Sequence, residues 1–227
     1  MRHLNCPICD ELQARQNSRL GAALADGRTR NAVFSTTRRF ALIPTVGPLV
    51  AGHSLIVSRK HQNNLFAGVS HATLEEVFVL LDRFISDNAT AYGNDLFCFE
   101  HGALNVTDCD VLCSTIHAHL HTLPISKKAI ARLLRSVGEG STEVQADEIP
   151  SEVAMYETYV IAFHYSRGRG PMSARLIDAS GLPPQHLRRV VASELGISEW
   201  DWKTHPRPTL ILDTMKNGFS RNVPVGL

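Results

Sequence analysis

The nine residues Ile116-His117-Ala118-His119-Leu120-His121-Thr122-Leu123-Pro124 put a histidine at every second position. Successive side chains on a β-strand point to opposite faces, so a strand here presents His117, His119 and His121 together. Ala118, Leu120 and Leu123 are left to pack behind or beyond them, and Pro124 closes the run. Three imidazoles in a row gain little from burial, and no packing need calls for them. The pattern points to a functional face, and two chemistries suit it. Two or three of the rings could bind a metal directly. Alternatively, one ring could act as a nucleophile with its neighbours as ligand and proton donor. Spacing alone leaves both open.

The rest of the chain narrows the setting. Its 227 residues amount to about one and a half domains at roughly 150 residues each. A hydrophobic share of 44% with 20% charged residues is ordinary for a globular protein, which excludes disordered and collagen-like classes. The balance of 23 Lys+Arg against 22 Asp+Glu argues against a polyanion-coating protein, so no nucleic-acid partner is expected. No stretch approaches the ~20 apolar residues of a membrane span, and the N-terminus lacks a signal-peptide core. The expectation is a soluble, cytoplasmic protein. Five cysteines, an odd number, fit reduced thiols. Cys6 and Cys9 have the spacing that lets two thiolates reach one metal, yet the pair alone could equally be redox-active or incidental. Cys98, Cys109 and Cys113 read as bystanders.

Apolar periodicity supplies the organisation. A thin helical pattern runs over residues 10–25, followed by short strands at 32–35, 40–43 and 53–58. The clearest helix is 73–86, with Thr73-x-x-Glu76 as a capping box. Strands follow at 96–100 and 115–123, then a helix around 130–137. Residues 139–152 carry five acids and no base and read as a solvated connector. Beyond it come a strand at 156–164, its hairpin partner at 173–177 and an amphipathic helix at 183–195. The expected division is 1–137, an acidic connector at 138–152, and a C-terminal extension at 153–227 packed on the core.

With His-x-His-x-His, the stretch Gly52-His53-Ser54-Leu55-Ile56-Val57-Ser58-Arg59-Lys60-His61 resembles the histidine triad superfamily of nucleotide hydrolases and transferases. Gly47-Pro48-Leu49-Val50 and Phe99-Glu100-His101-Gly102 resemble a bacterial branch of it, and the matches cover roughly residues 1–125. The resemblance implies an α+β fold: an antiparallel sheet of about five strands with helices, plus a smaller C-terminal α+β extension. It implies a structural Zn2+ held by Cys6, Cys9, His61 and His117, a closed set with no open position. It also implies that His119 is the nucleophile at a nucleotide α-phosphate, forming a nucleotidyl-histidine intermediate resolved by water or another acceptor. His121 would bind phosphate oxygens or assist the leaving group, and Ser114 would contact phosphate. Family hydrolases often carry Gly-Gln just before that serine, where this chain has Leu112-Cys113.

The tail around Pro184–Ala192 and Trp200–Lys203 resembles tails of the same branch. Gln185 and Arg188 are candidates to reach the substrate phosphates, and Trp200 and Trp202 to anchor the tail. Family members commonly dimerise, so a homodimer is an expected possibility. Two rival readings remain: a metal-dependent hydrolase with catalytic zinc on the histidine strand, and a non-catalytic nucleotide-binding protein.

Overall fold

A run of β-branched and aromatic residues with both faces covered forms central strands, and the second quarter of the chain is rich in such runs. The computed structural model of the protein describes residues 6–13, 19–24, 33–104, 117–171 and 173–218. In chain order the elements are α1 (Pro7–Leu12), α2 (Arg19–Leu24), β1 (Ser35–Thr36), β2 (Phe40–Pro44), β3 (Ser54–Ser58), α3 (His71–Tyr92), β4 (Asp95–Ala103) and β5 (His119–Pro124). Then come α4 (Lys127–Gly138), β6 (Thr142–Gln145), α5 (Ile149–Val153), β7 (Thr158–Ser166), β8 (Ser173–Asp178), α6 (His186–Glu194) and α7 (Pro208–Gly218).

The strands form a single antiparallel sheet in the order β1-β2-β3-β5-β4-β7-β8-β6. The α+β class expected from the sequence is present, but the sheet has eight strands where about five were expected. The difference arises because the C-terminal strands join the sheet directly. β7 pairs with β4 from Asp95↔Ser166 to Ala103↔Thr158, so the ladder crosses the expected boundary without a break. The acidic stretch 138–152 is not a solvated connector: Val144 pins β6 beside β8, and Ile149, Pro150 and Val153 of α5 are buried. Its acids sit between these apolar anchors, and charge count alone concealed them.

One face of the sheet is closed by α3, α5 and α7. Leu74, Val77, Leu80, Leu81, Phe84 and Ile85 of α3 pack on Leu42, Ile56, Leu96, Cys98 and Leu120. Each such side chain contributes about 1.5–3 kcal/mol on burial, so this face holds much of the stability. The helix is capped one residue ahead of its start by Ser70, whose Oγ accepts from the Thr73 N–H. The expected Thr73/Glu76 capping box is not formed. Glu76 instead accepts from the backbone N–H of Arg39 and from its guanidinium.

The other face is covered in two pieces. Ile8 of α1 packs on Ala41, Ile43, Leu55 and Val57 at the β2/β3 side. Helices α4 and α6 pack through Ile130, Leu133, Leu187 and Val191 on Phe97, Leu123, Val160 and Ala162 at the β4/β7 side. Between these pieces lies β5, and its outward-facing histidines line the gap.

Candidate functional site

β5 lies between β3 and β4, with Leu55↔His121, Val57↔His119 and Phe99↔His121 in register. His117 precedes the strand, and its side chain is fixed by two contacts. Nε2 lies 2.7 Å from the Ser58 carbonyl, which can only accept, so Nε2 carries the proton. Nδ1 then presents its lone pair to Cys6 Sγ at 3.3 Å and Cys9 Sγ at 3.5 Å. His61, just beyond β3, brings its Nδ1 to 3.5 Å from Cys9 Sγ. Cys6 is the N-cap of α1 and Cys9 lies three residues on, so one turn turns both thiols to the same side.

The four ligand atoms all lie within 4.8 Å of one another. Metal–sulfur bonds of about 2.3 Å and metal–nitrogen bonds of about 2.0–2.1 Å at tetrahedral angles make a sulfur–nitrogen edge of about 3.5–3.6 Å. The sulfur–nitrogen separations of 3.3–3.5 Å match that edge. Two thiols and two imidazoles at these distances can hold a metal ion, and the set is chemically complete as a four-coordinate shell.

His119 and His121 face a different space. The cleft between α1 and α6 has about 820 Å³ of empty volume, including its solvent-open part. Its walls include Ile8, Ile43, Leu55 and Phe99, and its polar lining includes His101, His119, His121, Gln185 and Arg188. His119 Nδ1 sits 2.6 Å from the His117 carbonyl oxygen. Nδ1 therefore donates, and Nε2 carries the lone pair.

His121 is set by a relay from His53. The Leu49 N–H donates to His53 Nδ1 at 3.1 Å, so the His53 proton is on Nε2, which donates to His121 Nδ1 at 2.9 Å. The remaining proton of His121 is then on Nε2. Phe99 stacks on its ring, with centroids 4.4 Å apart and planes at 18°. Burial, with the nearby His119 and Arg188, holds both His53 and His121 well below the usual imidazole range, so both are neutral at pH 7.

The approach of β3 to this relay depends on Gly52, which has φ +80° just before His53 and donates its N–H to Thr214 Oγ1 of α7 at 2.9 Å. A Cβ there would come within 2.7–2.9 Å of Pro124 and Tyr92.

The tail supplies the opposite wall. Arg188 is buried, and its Nη2 donates to the carbonyls of Gly47 at 2.7 Å and Trp200 at 2.8 Å. It is thus not a solvated arginine on a surface helix, because α6 turns it inward onto the loop before β3. Arg189 instead stacks on Trp200. Gln185 adopts φ +59° at the start of α6, and its Nε2 donates to Asp201 Oδ1 at 3.1 Å. Trp202 backs onto Gly47 so closely that a Cβ at Gly47 would lie 2.4 Å from the Trp202 Cβ. Arg19 of α2 covers the Trp202 ring at 4.7 Å, and both line the cleft.

Of the residues expected at a site, the structure brings Cys6, Cys9, His61 and His117 into one cluster. It brings His119, His121, Gln185 and Arg188 to one cleft. Ser114 lies outside the described residues. Sequence reasoning assigned no role to His53, Phe99, His101 or Arg19, and it read Trp202 only as an anchor of the tail. Phe99 and His101 could have been found from strand parity once the β4–β5 register was known. Arg19 had no sequence signal, and the place of Trp202 in the cleft had none, because only tertiary folding joins them.

No protein-family model matches this chain, and no curated protein matches it.

Proposed function

We propose that this protein is a nucleotide hydrolase or nucleotidyl transferase that acts at an α-phosphate through a nucleotidyl-histidine intermediate on His119. The observation that carries the reading is the hydrogen bond from His119 Nδ1 to the His117 carbonyl. That bond directs a lone pair on Nε2 and stabilises the positive charge that develops on the ring when Nε2 bonds to phosphorus. Nε2 attacks phosphorus, the bond to the leaving oxygen breaks, and the electron pair departs with that oxygen. Water or another acceptor then attacks the adduct, and the P–N electron pair returns to His119. His121 Nε2–H donates to a phosphoryl oxygen or to the leaving group. Gln185 and Arg188 contribute to substrate binding from the tail. The cleft favours an anionic ligand because, among the described residues, its two cations, the buried Arg188 and the nearby Arg19, outnumber its one acid, Glu11. Ser114 is proposed as a further phosphate contact on the family resemblance alone.

The metal is proposed to be Zn2+ with a structural role, held by Cys6, Cys9, His61 and His117. Two thiolates and two imidazoles suit zinc, and a closed four-coordinate shell leaves no open position for substrate. When bound, zinc would tie α1 to the strand that bears His119. The histidines of the cleft do the chemistry, which distinguishes this reading from a metal-dependent hydrolase.

Incubating the protein with a panel of adenylated and guanylated compounds, followed by rapid acid quench and intact mass spectrometry, tests the reading. A nucleotidyl mass increment that maps to His119 and disappears in His119→Ala is expected. No increment with any compound, or one that survives His119→Ala, contradicts it.

A further inference from the structure

Apart from His119 and His121, the cleft face of the sheet in the rows that hold them is apolar except at His101. Register places Ala41, Val57 and His119 in one row across β2, β3 and β5, and pairs His101 with Val160 across β4 and β7. The next row is Ile43, Leu55, His121, Phe99 and Ala162. His101 lies two residues beyond Phe99, the last β4 residue paired with β5, so its side chain emerges on the same face as Phe99. His101 and His119 both line the cleft, so both imidazoles reach the same space.

His101 lines the cleft, and its buried Nε2 has no hydrogen-bond partner among the described residues. A buried polar nitrogen without a partner costs about 1–3 kcal/mol. A valine, the residue type at Val57 and Val160 on the same face, would avoid that cost. Burial, reinforced by His119 and His186, pushes the ring's pKa down to about 4. At neutral pH it is therefore an uncharged imidazole with one N–H to give. An uncharged donor can sit beside His119 and offer a hydrogen bond to a group bound there.

We propose that His101 is a substrate-binding residue whose Nε2–H donates a hydrogen bond to an oxygen of the phosphoryl group seated over His119. The placement of that phosphoryl group rests on the reading of His119 as nucleophile. His101 holds one side of the group from β4, while His121 holds it from the next position along β5. A bound anion selects the His101 tautomer with its proton on Nε2 and supplies the partner that the nitrogen lacks.

Long-range proton–nitrogen NMR on the full metal-loaded chain with 15N-labelled histidine tests this directly, with inorganic phosphate, AMP and GMP as probes. The His101 Nε2 resonance should shift saturably with at least one probe. His101→Phe should weaken that probe's binding about tenfold or more, as expected for a hydrogen bond to a charged group. His101→Gln, which returns an N–H near the same place, should recover most of the affinity. An unmoved resonance with all three probes, or unchanged affinity in a folded His101→Phe, overturns the proposal. A shifted His101 with no adduct on His119 keeps this binding role and removes the transferase reading. An adduct with an unmoved His101 does the reverse.

Discussion

His117 and His119 stand two residues apart on one stretch of chain, yet they serve regions of different character. His117 gives its Nε2 proton to the Ser58 carbonyl and turns Nδ1 to two thiols. His119 gives its Nδ1 proton to the His117 carbonyl and keeps the Nε2 lone pair. In each case a backbone oxygen chooses the tautomer, and the choice decides whether the ring enters a closed ligand set or an open cleft. The Cys6, Cys9, His61 and His117 cluster offers four soft or borderline donors that could fill a four-coordinate shell. The cleft is lined by imidazoles, the buried Arg188, Arg19, Glu11 and apolar walls. Identical residue types thus acquire different chemistry from which nitrogen the backbone occupies.

The comparison breaks most visibly if the metal is removed. The protein should carry one metal ion per chain by elemental analysis, and both strong chelation and Cys9→Ser should destabilise it. A loss of about 4 kcal/mol corresponds to a fall in Tm of roughly 8–16 °C for a chain of this size. Because the His117 backbone holds His119, turnover should fall with metal content. Unchanged Tm and activity in the metal-free chain would separate the two regions entirely.

A second test lies behind the cleft. Glu100 is buried on the far side of β4, where its carboxylate accepts from Tyr159 Oη at 2.6 Å and from the Leu65 N–H at 2.8 Å. Burial outweighs these bonds and raises its pKa to about 7, against 4.5 in the unfolded chain. Between those values the folded state binds more protons. Stability is therefore greatest on the acid side and falls as pH rises from about 4.5 to 7, by about 3 kcal/mol. Glu100→Gln should flatten that slope in denaturant titrations while leaving metal content at one per chain.

His53→Phe sharpens the comparison from the cleft side. It removes the donor to His121 Nδ1 and should reduce turnover by about 10²-fold through misplacement of that ring. The metal should remain bound, and an equal loss of metal would show that the regions are not independent. The smallest effect is expected from Gly47→Ala. Its new methyl would press on Trp202, at an overpacking cost of about 1–3 kcal/mol, and move the tail wall. Substrate affinity should weaken more than the rate of adduct formation, as measured by single-turnover kinetics.

Much of this arrangement was legible in the sequence because strand parity is a strong rule. The period-two histidines define one face, and the Cys6/Cys9 spacing together with the family resemblance picked out the four residues that cluster. The strands at 40–43, 53–58 and 96–100 follow from β-branched and aromatic runs, and the structure extends them by a few residues or trims their ends. The extent of the sheet was not legible. β6 has a single buried anchor, Val144, among exposed polar residues, so its pattern is too weak to announce a strand. Arg188 was legible as a candidate for the site but its burial was not: on α6 it lies at the margin of the apolar stripe, and only the loop at Gly47 turns that margin into an interior. Cys109, Cys113 and Ser114 lie outside the described residues.

The division of labour between His117 and His119 is tested most directly by metal-edge X-ray absorption on the chain as purified, compared with His119→Ala. Two sulfur ligands at about 2.3 Å and two nitrogen ligands at about 2.0–2.1 Å, unchanged by the substitution, are the predicted result. A ligand shell that contains oxygen, or that loses a nitrogen in His119→Ala, would place the metal in the cleft and contradict the account.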